Sequence, residues 1–355
     1  MSKIALITDI HIGCRGDSNI FHDYYERFYT NVFIPHLISN KITTVICLGD
    51  TFDKRKQINF VSLDRATKYL FGPLEKHGIH MYCLVGNHDA PYKNHIKESS
   101  PKFLLSKFNN IDVIDYPQEL VINGKEFAFL PWVCADNQSD SISLVKNTTA
   151  PILISHLELA GFEMHKGQLS EHGHFEKSDL SGFERVWSGH YHHRSSQGNI
   201  TYLGNPYALT WNDYDDPRGF HVYDCEHDML EFIQNPYQMF YKYFYDDENK
   251  DTGWIDSIDY NQYAGSHVKV IVTKKTDFLT FDTFIHKLQE VNPAELKVIE
   301  DFSEFDDSVL DDAQLEAEDT LTLLNIYIDG ITTDVNKEEL KRVMRELYME
   351  ANIDE

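Results

Sequence analysis

The chain has 355 residues, 42% of them hydrophobic, and a formal net charge of −25. That length suits a large core and two or three domains, and the ordinary apolar content excludes a disordered or fibrous chain. No apolar run approaches a membrane span, the stretch before Asp9 is too short for a signal peptide, and the scattered cysteines (Cys14, Cys47, Cys83, Cys134, Cys225) read as buried thiols of a reducing cytoplasm.

Short runs of Val, Ile, Leu or Cys bounded by polar turn residues read as buried strands. The first is predicted at 3–8. A helix follows over 23–39, with Phe28, Val32, Ile34 and Leu37 as apolar positions. Then come a strand at 44–48, a helix at 61–77, a strand at 80–85 and a helix at 100–108. This alternation predicts parallel βαβ pairing and a two-sheet α/β sandwich. Strands at 111–114, 120–122, 126–130, 151–155, 185–188, 200–203 and 219–224 supply the second sheet. Residues 132–150 lack periodicity and read as a loop. Residues 164–179, Gly-rich and polar, read as a surface loop carrying His165, His172 and His174 outside the ligand set, within reach of substrate.

The first domain is placed at 1–240. The aromatic run Met239–Tyr245 reads as a strand crossing between domains with one face buried, rather than as a base-stacking surface. A strand at 267–273, a helix at 281–291 broken by Pro293 and a strand at 296–299 make a small α+β domain over 241–299. Between Glu300 and Asp319 stand ten acidic residues and no basic one, so 300–319 reads as an extended linker. A helical pair follows over 320–355. Its second helix is capped by Asp334 and carries the apolar stripe Leu340, Val343, Met344, Leu347 and Tyr348, opposite Lys337, Lys341, Arg342 and Arg345. About thirty residues cannot bury such a stripe alone. The pair is expected to dock, on its own chain or on another protein's helix.

Five motifs carry the chemistry: Asp9-Ile10-His11, Gly49-Asp50, Gly86-Asn87-His88-Asp89, Ser155-His156 and Gly189-His190-Tyr191-His192. Each follows a predicted strand, and in open α/β sheets ligands bind at strand ends. Singly they are weak, since Gly49-Asp50 alone could be a turn; together and in order they are specific. Two divalent metals held about 3.5–4 Å apart can clamp the attacking and leaving oxygens of a phosphoryl displacement. A shared anion must lie between them, and Asp50 is the natural bridge. Asp9, His11, Asn87, His156, His190 and His192 supply hard oxygen and imidazole nitrogen, which suits manganese, iron or zinc. A water held between the metals would lose a proton near neutral pH and become the nucleophile. His88, beside a ligand, is placed to protonate the leaving oxygen or stabilise charge.

These motifs, with Tyr202-Leu203-Gly204-Asn205-Pro206 and Arg218-Gly219-Phe220, resemble the calcineurin-like metallophosphoesterases. Within them the chain is similar to the SbcD-type DNA repair nucleases, and nearest their T-even phage branch. The motifs cover about residues 1–245. The resemblance implies one metal on Asp9, His11, Asp50 and His192, a second on Asp50, Asn87, His156 and His190, and His88 as the catalytic histidine. It implies manganese, with magnesium as the alternative. It also implies exonuclease action on duplex ends and endonuclease action on single strands, in recombination, replication and double-strand break repair. It further implies a homodimer through helices near 60–110, an SMC-like ATPase (SbcC-type) partner gripped by the carboxy-terminal segment, and the host cytoplasm as the place of action. Many such nucleases carry His three residues after the bridging Asp; here that residue is Asp53.

The net charge opposes DNA binding. Lys54, Arg55, Lys56, Lys93, Lys97 and Arg194 nevertheless lie in the loops around the motifs, where with Asp53 they are candidate substrate contacts or simply solvated side chains. A partner is expected to supply much of the DNA affinity. No Gly-x-x-x-x-Gly-Lys-Ser/Thr loop occurs, so ATP chemistry would be the partner's. Two other readings stand beside the nuclease: a phosphatase or small-molecule phosphodiesterase with the same metals, and a non-catalytic scaffold, whose ligand set would be broken.

Overall fold

A computed structural model describes residues 3–92, 95–165, 168–170, 173–251 and 253–300, together with Ile328, Lys337, Leu340, Lys341 and Val343. The chain divides into two compact units, Met1–Leu209 with Asp215–Met239 and Thr210–Tyr214 with Phe240–Glu355.

The first unit holds two six-stranded sheets. In chain order the strands are β1 (Lys3–Ile7), β2 (Thr44–Cys47), β3 (His80–Leu84), β4 (Ile111–Ile114), β5 (Gln118–Ile122), β6 (Lys125–Leu130) and β7 (Ile152–His156). They continue with a small hairpin, β8 (Glu163–His165) and β9 (Gln168–Leu169), then β10 (Arg185–Gly189), β11 (Ser195–Gln197), β12 (Ile200–Tyr202), β13 (Gly219–Asp224) and β14 (Met229–Gln234). One sheet runs β14-β13-β1-β2-β3-β4 and the other β11-β12-β10-β7-β6-β5. The strands β1, β2, β3 and β4 are parallel, as are β6, β7, β10 and β12. This is the expected α/β sandwich.

Side chains alternate across each strand. Ile4, Leu6, Ile46, Leu48 and Leu84 of one sheet meet Phe127, Phe129, Ile154 and Trp187 of the other in a shared core. The opposite face of the second sheet packs Leu130, Leu153 and Val186 on Leu159, Phe162 and Leu180. Tyr25, Phe28, Tyr29 and Tyr207 make an aromatic cluster between helix and loop, with Tyr25 and Tyr207 stacked at 4.1 Å.

The two long helices of this unit each contain a π turn. One runs Asn19–Phe28, Tyr29–Phe33, Ile34–Ser39; the other runs Phe60–Ala66, Thr67–Phe71, Gly72–Lys76. Each π segment is followed at two residues by a proline, Pro35 or Pro73. Proline lacks an N–H and crowds the carbonyl four residues back, so a wider turn lets the helix continue past it.

Four differences from the sequence reading have physical causes. The strands at 111–114 and 219–224, expected in the second sheet, belong to the first, as β4 parallel to β3 and β13 antiparallel to β1; an apolar run marks a buried strand but not the edge it joins. Residues 132–150 contain a helix, Gln138–Asn147, of which only Ser141 is buried, so no apolar stripe announced it. The predicted surface loop at 164–179 begins with the hairpin and ends in a 3-10 turn, Lys177–Leu180, closed by a Glu176/Asp179 capping box. The strands β11 and β14 lie at sheet edges, where burial leaves little pattern.

The second unit carries three parallel strands, β15 (Phe240–Asp246), β16 (His267–Lys274) and β17 (Glu295–Ile299), in that order. A helix, Phe278–Glu290, is capped by Asp277, whose carboxylate accepts the Leu279 N–H at 3.0 Å. Phe281, Phe284 and Leu288 from this helix pack on Tyr245, Val268 and Val270. The aromatic run is thus one strand of this sheet, with Phe244 exposed and Tyr245 buried. The predicted linker at 300–319 lies outside the described residues apart from Glu300, as does the helical pair apart from the five single residues above; Met344, Leu347 and Tyr348 are among those not described.

Trp187 is fully buried between the sheets and meets Tyr223 edge-on at 4.8 Å. Replacing it, Trp187→Ala, should cost about 3–5 kcal/mol, read as a lower urea midpoint at unchanged slope. A loss below about 1 kcal/mol would show that this core can collapse around the gap.

Candidate metal centre

Asp9 follows the end of β1, Asp50 follows β2, and Asn87 and His88 follow β3. His156 ends β7, and His190 and His192 follow β10. Because β1, β2 and β3 are parallel neighbours, and β7 and β10 likewise, their ends bring these groups together.

The backbone there is unusual. Asp9, His11, Asp50 and His190 have φ of 51°, 50°, 52° and 89°, which L-residues seldom adopt and which costs roughly 1–3 kcal/mol each. A ladder between the loops holds them: the N–H groups of Asp9, His11 and Ile12 donate to the carbonyls of Gly49, Asp50 and Thr51, each at 3.0 Å. Gly49, at φ 109°, has no room for a side chain, since a Cβ would strike the His156 ring.

Three groups of metal-seeking atoms result among the described residues, Asp9 with His11 and His192, Asp50 with His156 and His190, and at the rim His11 with Asp53 and His88, the atoms of each within 4.8 Å of one another. The Nε2 atoms of His11 and His192 face each other at 3.1 Å. Asn87 Oδ1 is 2.9 Å from His156 Nε2 and 3.0 Å from His190 Nδ1. Asp50 Oδ2 stands 3.8 Å from His11 Nε2 and 3.3 Å from His156 Nε2, within reach of the first two groups. Such facing imidazole nitrogens and buried oxygens need a positive charge among them. Oxygen and imidazole donors without thiolate fit divalent cations such as manganese, iron or zinc.

Surrounding bonds fix several of these groups. Asp9 accepts from Thr8 Oγ1 at 2.6 Å and from the His190 N–H at 3.1 Å to both oxygens. His156 Nδ1 donates to the Leu48 carbonyl at 2.7 Å, turning Nε2 inward. His88 Nδ1 donates to the Asp53 carbonyl at 2.7 Å, and the His88 N–H donates to Asp50 Oδ1 at 2.8 Å.

Charge follows from burial and neighbours. Burial works against the Asp50 charge, but His156 and His88 outweigh it and hold the carboxyl well below the usual range. Burial raises Asp9, against the pull of His156 and His11. His156 is disfavoured as a cation by burial, yet Asp50 and Asp9 push it up to about 10. Burial opposes the His11 cation too, and Asp53, Asp50 and Asp9 raise it to about 9.

The structure also shows residues that pattern reading passed over. Asp89 was read only as part of its motif. Its buried carboxylate accepts from Thr51, Phe52 and Gly86 N–H groups at 3.2, 3.0 and 3.0 Å, tying the Asp50 loop to the Asn87 loop. Trp132, just past the end of β6, lies 5.2 Å from His190 and 6.2 Å from His156 between ring centroids, and the exposed His174 meets it at 5.6 Å. A sixth strand end, that of β6 beside β7, was the available signal. Arg218, buried, donates to the His192 carbonyl, to Asn205 and, at 2.8 Å, to Asp216.

Of the candidate substrate contacts, Lys54 is paired with Asp17 at 2.7 Å, Lys56 lies over Tyr92 at 4.6 Å and Arg194 over Phe232 at 4.2 Å. Arg55 is half-buried and Lys97 exposed. Lys93 lies outside the described residues. Asp53 turns its carboxylate to His11, with Oδ1 at 3.4 Å from Nδ1.

The profile of the calcineurin-like phosphoesterases matches residues 2–220. Over 98% of this chain and 99% of the other, the sequence is 32% identical to Exonuclease subunit 1 of Enterobacteria phage T4. It is 28% identical over 200 residues to the DNA double-strand break repair protein Mre11 of Sulfolobus acidocaldarius, spanning 54% of this chain and 50% of that one. The protein of the same name from Methanocaldococcus jannaschii is 25% identical over 242 residues, spanning 61% of each chain.

Because His11 and His156 hold protons at neutral pH without a cation, metal uptake must displace them. Titrating manganese at pH 7 into protein in buffers of differing ionisation enthalpy should give buffer-dependent heats, and affinity should rise from pH 6 to pH 8. Equal heats in every buffer would mean that these imidazoles are already neutral.

Proposed function

The chain belongs to the calcineurin-like phosphoesterase family, and from that membership we propose that it is a two-metal DNA nuclease, cutting duplex ends as an exonuclease and single strands as an endonuclease. One observation supports this above others: Asp50 Oδ2, grouped with His156 at 3.3 Å and His190, also lies 3.8 Å from His11 of the Asp9–His11–His192 group, as a ligand shared by two cations would. The nearly end-to-end similarity to a phage exonuclease subunit favours DNA over a small phosphate ester.

In this reading Asp9, His11, Asp50 and His192 hold one cation, and Asp50, Asn87, His156 and His190 the other. Manganese is the proposed metal, with magnesium as the alternative. Bound there, the pair would polarise the phosphate oxygens and lower the pKa of the attacking water. The chain's own part is positional. His156 is locked by Leu48, Asp9 by Thr8 and the His190 amide, and the two loops by Asp89. His88, with Nδ1 committed to the Asp53 carbonyl, would in its protonated form give its Nε2 proton to the leaving oxygen, or stabilise the charge there, and so become neutral.

The domains in this proposal are the nuclease at 1–240, a capping domain at 241–299, an acidic linker at 300–319 and a partner-binding helical pair at 320–355. The phage relative is named a subunit, and a chain of net charge −25 binds DNA poorly alone. Both favour an SMC-like ATPase partner, gripped by the stripe that includes Leu340 and Val343. Phe60, Val61 and Phe103 expose 84%, 58% and 66% of their surface, which favours a homodimer through the helices near 60–110. No helix among the described residues is long and apolar enough to cross a membrane; action in a host cytoplasm accords with a phage relative.

The test is manganese-dependent digestion of linear duplex DNA by wild type and His88→Ala. Cutting should fall by roughly 10²- to 10⁴-fold while manganese binding persists. Equal cutting by both proteins, or turnover of a phosphomonoester with none of DNA, would contradict the proposal.

A further inference from the structure

Each inward-facing imidazole of the centre needs an outer partner to hold its ring and choose its tautomer. His156 has one in the Leu48 carbonyl. His11 has a different kind. Its Nε2 points at Asp9, Asp50 and His192, at 4.0, 3.8 and 3.1 Å. Its Nδ1 is buried and makes no hydrogen bond of good geometry among the described residues, and Asp53 Oδ1 stands 3.4 Å from it. The Asp53 side chain is 25% exposed and that of His11 4% exposed. The pair therefore sits at the rim of the centre, with the carboxylate outside and the ring inside.

Asp53 is itself fixed. Its N–H donates to the Ile12 carbonyl at 3.0 Å, extending the ladder between the Asp9 and Asp50 loops. Its own carbonyl takes the His88 Nδ1 proton. Side chain and main chain of one residue thus face two histidines with different duties. A side-chain substitution leaves the His88 contact in place, so the two roles can be separated.

We propose that Asp53 is a positioning residue of the metal centre: its carboxylate accepts the His11 Nδ1 proton, directs the Nε2 lone pair inward and raises the basicity of that ligand. The inference rests on the two-metal reading above. It departs from a role for this position in holding DNA, because a carboxylate engaged with His11 contributes to cation affinity rather than to phosphate contact. Carboxylate–imidazole–cation triads of this kind change affinity by about 10- to 100-fold. Asp53→Asn keeps an oxygen in place of Oδ1 but loses the charge; Asp53→Ala loses both.

The experiment is calorimetric titration of manganese into wild type, Asp53→Asn and Asp53→Ala, with kcat and KM on linear duplex DNA measured alongside. One of the two sites should weaken by about 10- to 100-fold in Asp53→Ala and by less in Asp53→Asn. At saturating manganese, KM for DNA should stay at the wild-type value. Manganese affinity within twofold of wild type in Asp53→Ala, with KM raised, would overturn the inference and make Asp53 a substrate contact. A wild type that takes up no manganese would instead overturn the metal reading on which it rests.

Discussion

Asp9 and Asp50 are carboxylates almost wholly removed from water, and both lie within about 4 Å of the same His11 nitrogen. Around them imidazole nitrogens and an amide oxygen turn their acceptor faces inward. In a low-dielectric interior that arrangement is stable only when positive charge occupies its middle. Without a cation, protons on His11 and His156 supply part of that charge. The rest of the first unit can be understood as what is needed to keep this convergence from relaxing.

Strain and support are balanced at the strand ends. Four of the candidate ligands hold a left-handed backbone, and the cross-loop ladder from Asp9, His11 and Ile12 to Gly49, Asp50 and Thr51 prevents their release. Asp89 adds three backbone N–H bonds that join the second loop to the third. The close-packed core between the sheets then fixes the strands from which those loops rise. Asp89 and Asp53 belong to this supporting layer although both are acidic residues within three positions of a candidate ligand.

Much of this was legible in sequence for a simple reason. Buried parallel strands read as continuous apolar runs, and a polar residue directly after such a run has few structural excuses. That logic points to Asp9, Asp50, Asn87, His156 and His190, and the structure gathers them. It fails where the informative contact is to backbone. The Asp89 carboxylate, the Leu48 carbonyl on His156 and the Asp53 carbonyl on His88 leave no mark on residue spacing. It fails also where burial is slight, as in Gln138–Asn147 and the edge strands. The basic side chains are a third case: Lys54 is paired with Asp17 and Arg194 lies over Phe232, contacts that residue spacing does not announce.

The proposed dinuclear centre is tested most directly by anomalous scattering from crystals soaked in manganese. The account predicts two peaks about 3.5–4 Å apart, one on each side of Asp50 Oδ2. A single peak, or one held by His11, Asp53 and His88 with nothing beside His156, would contradict it.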